Sequence, residues 1–321
     1  MKTNYEPKPL FIERMKLLLG EEEFKKYFDS LNSESFNSIR VNTLKISVEK
    51  LKERLIEKKW KIKQPFRDFP EIMIVESNLE PGELGRSLEH LLGYYYIQDI
   101  SSMLPIISLK PNEKDIVMDL CASPGSKTTQ IASEMKNSGV LIANEINLGR
   151  IKILASNLER SGVMNAIITK SPSDVFCKKM KSLEFGADKI LLDAPCSGEG
   201  TIISNKKTLL MWNKKNIKNL SKKQKRLIHS AIEVLKDGGE LVYSTCTHAP
   251  EENEEVIDYA LENFKNIKVE KISLPNEFKF RQGVTEWNGK EYSSEVKKCV
   301  RIYPQDNNTE GFFIAKIKKE K

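Results

Sequence analysis

From residue 116 onward, short apolar runs alternate with amphipathic stretches of ten or more residues, and that rhythm leaves few folds open. The apolar runs are Ile116 to Cys121, Val140 to Ile146, Ala166 to Ser171, Lys189 to Ala194, Glu240 to Thr245 and Ile267 to Lys271. Helical periodicity marks Ser126 to Met135, Leu148 to Ser161, Ser221 to Lys236 and Pro250 to Asn263. Apolar strands separated by helices predict an α/β domain whose mainly parallel sheet is covered on both faces. The last apolar run, Gly311 to Ile317, has no helix after it and is expected to close the sheet as an antiparallel strand. Seven strands follow, six parallel and one closing.

The chain before this point has a different rhythm. Pro9 to Leu31 carries helical spacing in Phe11, Met15, Leu18, Leu19, Phe24, Tyr27 and Phe28. A strand is expected at Ser38 to Leu44, a helix at Val48 to Lys58, and strands near Trp60 to Ile62 and Glu71 to Val75. This is a small split β-α-β module, too short for a second nucleotide-binding sheet. Pro81, Gly82 and Gly85 mark a loop. The expected division is residues 1–90, a helical segment plus the small α+β module, and 91–321, the larger sheet.

A chain of 321 residues fits two such units. No apolar run approaches the roughly 20 residues of a membrane span, and the polar start with its two prolines does not read as a secretory signal. A cytoplasmic, non-membrane protein is expected. The five cysteines are odd in number and lack the spacing of a zinc knuckle or redox pair, so reduced thiols and no metal are expected. The net charge of +7 suits a polyanionic partner. Lysines cluster at 178–181 and again at Lys214, Lys215, Lys218, Lys222, Lys223, Lys225 and Arg226. The second cluster, with Trp212 beside it, can track a nucleic-acid backbone and stack a base. It can equally be a solvated helix face with Trp212 in the core.

Open α/β sheets bind ligands at the carboxyl ends of their strands, so the residues that end each strand carry the functional information. The first ends in Asp119-Leu120-Cys121-Ala122-Ser123-Pro124-Gly125-Ser126-Lys127-Thr128. Gly125 lets the backbone approach a ligand closely, and the helix that follows points its amides there. A P-loop would need a glycine further upstream and lysine directly after Gly125. The second strand ends in Asn144-Glu145, a carboxylate placed to accept hydrogen bonds from ribose hydroxyls. Asp174 follows the third and is a candidate for an adenine edge. The fourth ends in Asp193-Ala194-Pro195-Cys196-Ser197-Gly198 and the fifth in Ser244-Thr245-Cys246-Thr247. Burial as small hydrophobes suits Cys177 and Cys299. It explains poorly two cysteines at neighbouring strand ends.

Carbon 5 of cytosine is a poor nucleophile toward a sulfonium methyl. A thiolate adding to carbon 6 turns the ring into an enamine, whose carbon 5 then attacks. An acid such as Asp193 at ring nitrogen 3 stabilises the developing charge, and a base must later remove the carbon 5 proton. The residues alone do not rank Cys196 against Cys246, because a Pro-Cys motif is the attacking one in DNA cytosine methyltransferases.

These motifs resemble those of the Sun/Fmu family of RNA 5-methylcytosine methyltransferases, in particular its archaeal tRNA-modifying type. The likeness extends to Arg40-Val41-Asn42-Thr43-Leu44-Lys45, to Gly93–Met103 with Gln98-Asp99-Ile100-Ser101-Ser102, and to Arg301-Ile302-Tyr303-Pro304 with Gly311-Phe312-Phe313. It covers about residues 36–319. The resemblance implies a Rossmann-like class I methyltransferase with an RNA-recognition-like amino-terminal module, using S-adenosyl-L-methionine. It implies Cys246 as nucleophile, Cys196 as the thiol of product release, and Asp193 at the target base and near the methyl donor. Residues Cys121, Ala122, Ser123, Pro124, Gly125, Ser126 and Lys127 would cradle the methionine part. Glu145 would hold the ribose, with Arg150 supporting it, and Asp174 would lie near the adenine. Ser123 and Ser126 depart from the family, which often has Ala and a second Gly there.

The expected partner is RNA, with tRNA favoured over rRNA, and the expected state is a monomer. Arg40 and Lys45 are further candidates for RNA contact. Two rivals remain: a methyltransferase of the same fold with another target, which needs no cysteine pair, and an RNA-binding protein without activity, which predicts no effect of replacing Cys246.

Overall fold

The computed structural model describes residues 6–33 and 36–321, so Met1–Tyr5 of the polar start lie outside the described residues. Among the described residues, no helix is long and apolar enough to cross a membrane.

The small module is a four-stranded antiparallel sheet of β1 (Asn37–Val41), β2 (Ile62–Lys63), β3 (Ile72–Val75) and β4 (Tyr95–Ile97), in the order β2-β3-β1-β4. Side chains alternate across a strand, and β3 uses both faces. Met73 and Val75 pack with Leu51 and Leu55 of helix Val48–Glu57, while Ile72 and Ile74 join the core of the larger unit through Ile100, Met103 and Leu104. β4 comes from beyond residue 90, because Val41, Arg40 and Ile39 pair with Tyr95, Tyr96 and Ile97.

The larger sheet contains β5 (Ile116–Asp119), β6 (Val140–Asn144), β7 (Ala166–Thr169), β8 (Ala187–Asp193), β9 (Leu235–Thr245), β10 (Ile267–Glu270), β11 (Arg281–Gln282), β14 (Val300–Ile302) and β15 (Phe312–Lys319); β12 (Glu286–Trp287) and β13 (Lys290–Glu291) form a separate hairpin. The order is β7-β6-β5-β8-β9-β15-β14-β11, parallel from β7 to β9. β15 runs antiparallel beside β9, as the closing strand was expected to. Its other edge is shared: β14 pairs with Phe312–Ile314 and β10 with Lys316–Lys319, both antiparallel. The seven expected strands are all present. The six expected to be parallel share one direction, because β10 is antiparallel to β15, which is itself antiparallel to β9; β11 and β14 extend the sheet to nine. The chain winds outward from β5 to β7, then returns to β8 on the other side. That reversal opens a crevice between the ends of β5 and β8.

Helices cover both faces. Ile100–Leu109 and Ser126–Glu134 pack on one, and Ser173–Ser182, Lys214–Val234 and Glu254–Asn263 on the other. The helix expected from Ser221 begins at Lys214, where Asn213 caps it by accepting from the Asn216 amide at 2.7 Å. The lysine cluster therefore lies on the helix itself. The single helical stretch expected at Pro9–Leu31 is two helices, Pro9–Leu19 and Glu21–Ser30, parted at Gly20 with φ 79°. They pack through Phe11, Met15 and Tyr27 onto Ile202, Ile203 and Trp212 of the larger unit.

Trp212 settles one open alternative. It is 4% exposed, and its indole nitrogen donates to Glu199 at 2.6 Å, so it is core and has no face for a base. Arg40 is likewise no RNA contact. It is buried and donates to the Ser126 carbonyl at 2.9 Å and to Thr129 Oγ1 at 2.8 Å, fastening the small sheet to helix Ser126–Glu134. The Lys45 ammonium is held by the carbonyls of Leu92 at 3.1 Å and Arg160 at 2.7 Å.

Candidate active site

The turn after β5 is built around Asp119. Its Oδ2 accepts from Thr128 Oγ1 at 2.7 Å, and burial pushes its carboxyl up to about 7. The Ser123–Pro124 bond is cis, and Gly125, at φ 107°, turns the chain into helix Ser126–Glu134. Ser123 Oγ donates to the Arg150 carbonyl at 3.0 Å, and the Arg150 guanidinium donates back to the Ser123 carbonyl. Arg150 also stands 3.6 Å from Glu145 at the end of β6, so it ties the turn to that carboxylate.

Lys127 does not point along the turn. Its ammonium crosses to β8, where it meets Asp193 Oδ2 at 2.8 Å and Ser102 Oγ at 2.9 Å. Ser244 of β9 donates to the other Asp193 oxygen at 2.7 Å. Three elements thus orient one carboxylate at the centre of the crevice.

The loops after β8 and β9 bring Cys196 and Cys246 together, sulfur to sulfur at 3.3 Å. The loops are cross-tied: the Ser197 and Thr247 hydroxyls are 2.8 Å apart, and the Gly200 amide donates to the Cys246 carbonyl at 2.9 Å. Gly200 has no room for a side chain, since a Cβ there would lie 2.1 Å from the Gly311 carbonyl. The neighbouring Cys246 sulfur, together with burial, pushes the Cys196 thiol well up, so Cys196 keeps its proton. Burial also pushes the Cys121 thiol, up to about 12, which leaves it inert. Cys177 and Cys299 are buried in the core.

One cleft of about 270 Å³ collects these groups. Leu120, Cys121, Ser123, Glu145, Arg150 and Asp174 line one part, and Asp193, Pro195, Cys196 and Cys246 another. Ala122, Pro124, Gly125, Ser126 and Lys127 are not part of its wall. Lys223, Arg226 and Leu227 of helix Lys214–Val234 complete it. Sequence reasoning pointed at that helix as a lysine cluster without placing it at the thiols. It gave no role to Ser102, which it quoted only within a motif, and missed Gln224 and Glu252. Glu252, Asn253 and Glu254, within the helix expected from Pro250, are fully buried.

The donor set fits S-adenosylmethionine. Three carboxylates, Glu145, Asp174 and Asp193, face a ligand that carries a sulfonium charge and a ribose diol, and Ile146 and Leu227 offer apolar surface to a flat base.

Two family models match the chain. That of the 16S rRNA methyltransferase RsmB/F spans residues 106–318, and that of the N-terminal domain of 16S rRNA methyltransferase RsmF spans residues 8–100. A tRNA (cytosine(49)-C(5))-methyltransferase of Pyrococcus abyssi is 41% identical over 309 residues, covering 96% of this chain and 95% of the relative. A ribosomal RNA small subunit methyltransferase F of Psychromonas ingrahamii is 41% identical over 288 residues, covering 88% of this chain and 57% of the relative. The crystal structure of a methyltransferase homologue from Pyrococcus horikoshii, 37% identical, superposes with a TM-score of 0.84 over 98% of this chain and 96% of that one. That of NSun6 from Pyrococcus horikoshii with SFG, 28% identical, has a TM-score of 0.83 and covers 98% of each chain.

Fold, cleft and relatives define the class, an S-adenosylmethionine-dependent RNA (cytosine-5)-methyltransferase. The chain belongs to the RsmB/F family, which is the Sun/Fmu family its motifs resemble.

Proposed function

We propose that this enzyme methylates carbon 5 of a cytosine in tRNA through a covalent adduct on Cys246, and that Cys196 assists release of the product. The observation that carries this reading is the pair of sulfurs 3.3 Å apart beside a carboxylate held on both oxygens, all in one cleft.

Glu145 holds the ribose of the cofactor, with Arg150 bracing the turn against it. Cys121 and Ser123 bound the methionine part. Ala122, Pro124, Gly125, Ser126 and Lys127 shape the turn behind them, and Asp174 lies near the adenine. When bound, S-adenosylmethionine supplies the electrophilic methyl. Cys246, as thiolate, forms a bond to carbon 6 and places electron density on carbon 5. Asp193, in its protonated form, donates to ring nitrogen 3 and stabilises the charge that develops there. After carbon 5 is methylated, loss of its proton to a base restores the double bond and expels the Cys246 sulfur. Cys196, already in contact with that sulfur, assists its departure.

Lys223 and Arg226 are exposed on the cleft wall, so they meet RNA phosphates beside the unstacked base. The 41% identity to the Pyrococcus abyssi tRNA enzyme, over 96% of this chain, supports tRNA as the substrate. Five free thiols suit the reducing cytoplasm.

Bisulfite sequencing of total RNA with and without the active gene tests the substrate. A cytosine in tRNA that loses protection is expected, and one in rRNA would replace tRNA by rRNA. Cys246→Ala is expected to abolish methyl transfer with cofactor binding intact, and full activity in that variant would end the covalent mechanism.

A further inference from the structure

Cys196 sits on a short loop with no secondary structure of its own. Loops are mobile unless their backbone groups are tied down. A sulfur that must meet another within a few tenths of an ångström needs such ties, since small misplacements are costly to a reaction.

The ties come from two residues that neither the motifs nor the comparisons single out. Gln224 projects from helix Lys214–Val234, and its side-chain nitrogen donates to the Pro195 carbonyl at 2.9 Å. The same nitrogen donates to Glu252 Oε2 at 2.8 Å. That oxygen also accepts from the Ser197 amide at 3.0 Å. The peptide groups on either side of Cys196 are thus clasped by one amide and one carboxyl, which are bonded to each other. Both side chains are 0% exposed. The clasp also reaches the second cysteine, because Tyr243 of β9, three residues before Cys246, donates its hydroxyl to the Glu252 carbonyl at 2.6 Å.

Burying this acid is expensive. Among the described residues no cation bonds to it, and Glu199 adds a like charge nearby. An apolar side chain under the loop would avoid that cost. It would leave the Ser197 amide and the Pro195 carbonyl without these partners and the thiol free to drift.

We infer that Gln224 and Glu252 are positioning residues that hold Cys196 against Cys246 for release of the methylated base. The inference rests on the reading of Cys196 as the release thiol. It separates two steps of the reaction. Attack by Cys246 and methyl transfer do not use the clasp directly, whereas expulsion of the Cys246 sulfur does.

The test compares Gln224→Leu, Glu252→Ala, Glu252→Gln and Cys196→Ala in the full-length enzyme, with tRNA and S-adenosylmethionine. Single-turnover methyl transfer, steady-state turnover and the fraction of RNA linked to protein after denaturation are each measured. Gln224→Leu and Glu252→Ala are expected to lower steady-state turnover at least tenfold more than the single-turnover rate, and to accumulate linked RNA as Cys196→Ala does. Glu252→Gln keeps an oxygen for the Ser197 amide and is expected to restore release to within about threefold of wild type. A merely structural role would lower both rates together and trap no RNA. Should Glu252→Ala not fold, Gln224→Leu and Glu252→Gln carry the same comparison, because both preserve side-chain volume. Normal turnover in Cys196→Ala would remove the release thiol itself. RNA trapped by Cys196→Ala but by neither Gln224→Leu nor Glu252→Ala would overturn the clasp and leave the release thiol standing.

Discussion

Replacing Arg301 by methionine should cost this enzyme a large part of its stability. The Arg301 guanidinium donates through Nε to Glu254 Oε1 at 2.6 Å and through Nη2 to Oε2 at 2.5 Å, with side-chain exposures of 2% and 0%. Its third nitrogen donates to the His248 carbonyl at 2.9 Å and to the Tyr303 hydroxyl at 3.1 Å. Arg301→Met fills much of the volume but leaves a dry carboxylate whose remaining partner is the Val284 amide at 3.0 Å. Breaking a buried pair from one side costs about 3–5 kcal/mol, against a total of roughly 5–15 kcal/mol for a folded protein. Glu254→Leu alone should cost a similar amount, because it strands the guanidinium. The double variant Arg301→Met/Glu254→Leu removes both charges and should return to within about 1 kcal/mol of the wild type. Urea unfolding followed by tryptophan fluorescence, with equal slopes required across the four proteins, measures all three differences. A single-variant loss under about 1 kcal/mol, or a double-variant loss equal to the sum of the singles, would refute the reasoning.

Three further outcomes follow from the geometry. Burial pushes Glu252 up to about 8, above the roughly 4.3 of a free glutamate, so the folded chain binds an extra proton between those values and loses stability as pH rises through them. Glu252→Gln should therefore flatten stability between pH ~5 and ~8 by about 1.4 kcal/mol per pH unit, as read by urea titrations across that range; an unchanged slope would count against a neutral acid. Removing Lys223 and Arg226 together should lower the slope of log affinity for RNA against log salt by about 0.7 per charge, measured by filter binding; an unaltered slope would take both residues off the RNA path. Trp212→Phe should cost about 1–3 kcal/mol through the lost bond to Glu199 and leave RNA affinity unchanged, and a fall in affinity with full stability would restore a stacking role to Trp212.

The strand-end motifs were legible because chemistry at the rim of a parallel sheet is written in contiguous residues. Asp119 to Lys127, Asp193 to Cys196 and Ser244 to Cys246 each lie on one turn, and the fold only had to bring the turns together. What stayed hidden was contact across distant elements. Lys127 looked like part of its own turn until its ammonium was seen on Asp193. Gln224 is one polar residue in a lysine-rich helix, and Glu252 one acid in the stretch expected to be a helix from Pro250; only the Pro195–Ser197 loop between them gives either a purpose. The same holds for β4, three residues long and recognisable as a strand only beside β1. Helix Ile100–Leu109 was missed for the opposite reason. Nine of its ten residues are buried, so it has no polar face to show a period.

Arg40 draws a consequence from burial alone. Its guanidinium is pinned between the small sheet and the start of the helix behind the cofactor turn, so the two units share one frame. Were an RNA held by the outer module, it would meet the thiols at a set span and angle. Selectivity would then be a measurement of distance along the substrate, and lengthening the segment between β3 and β4 would change which nucleotide is modified before it changed how fast.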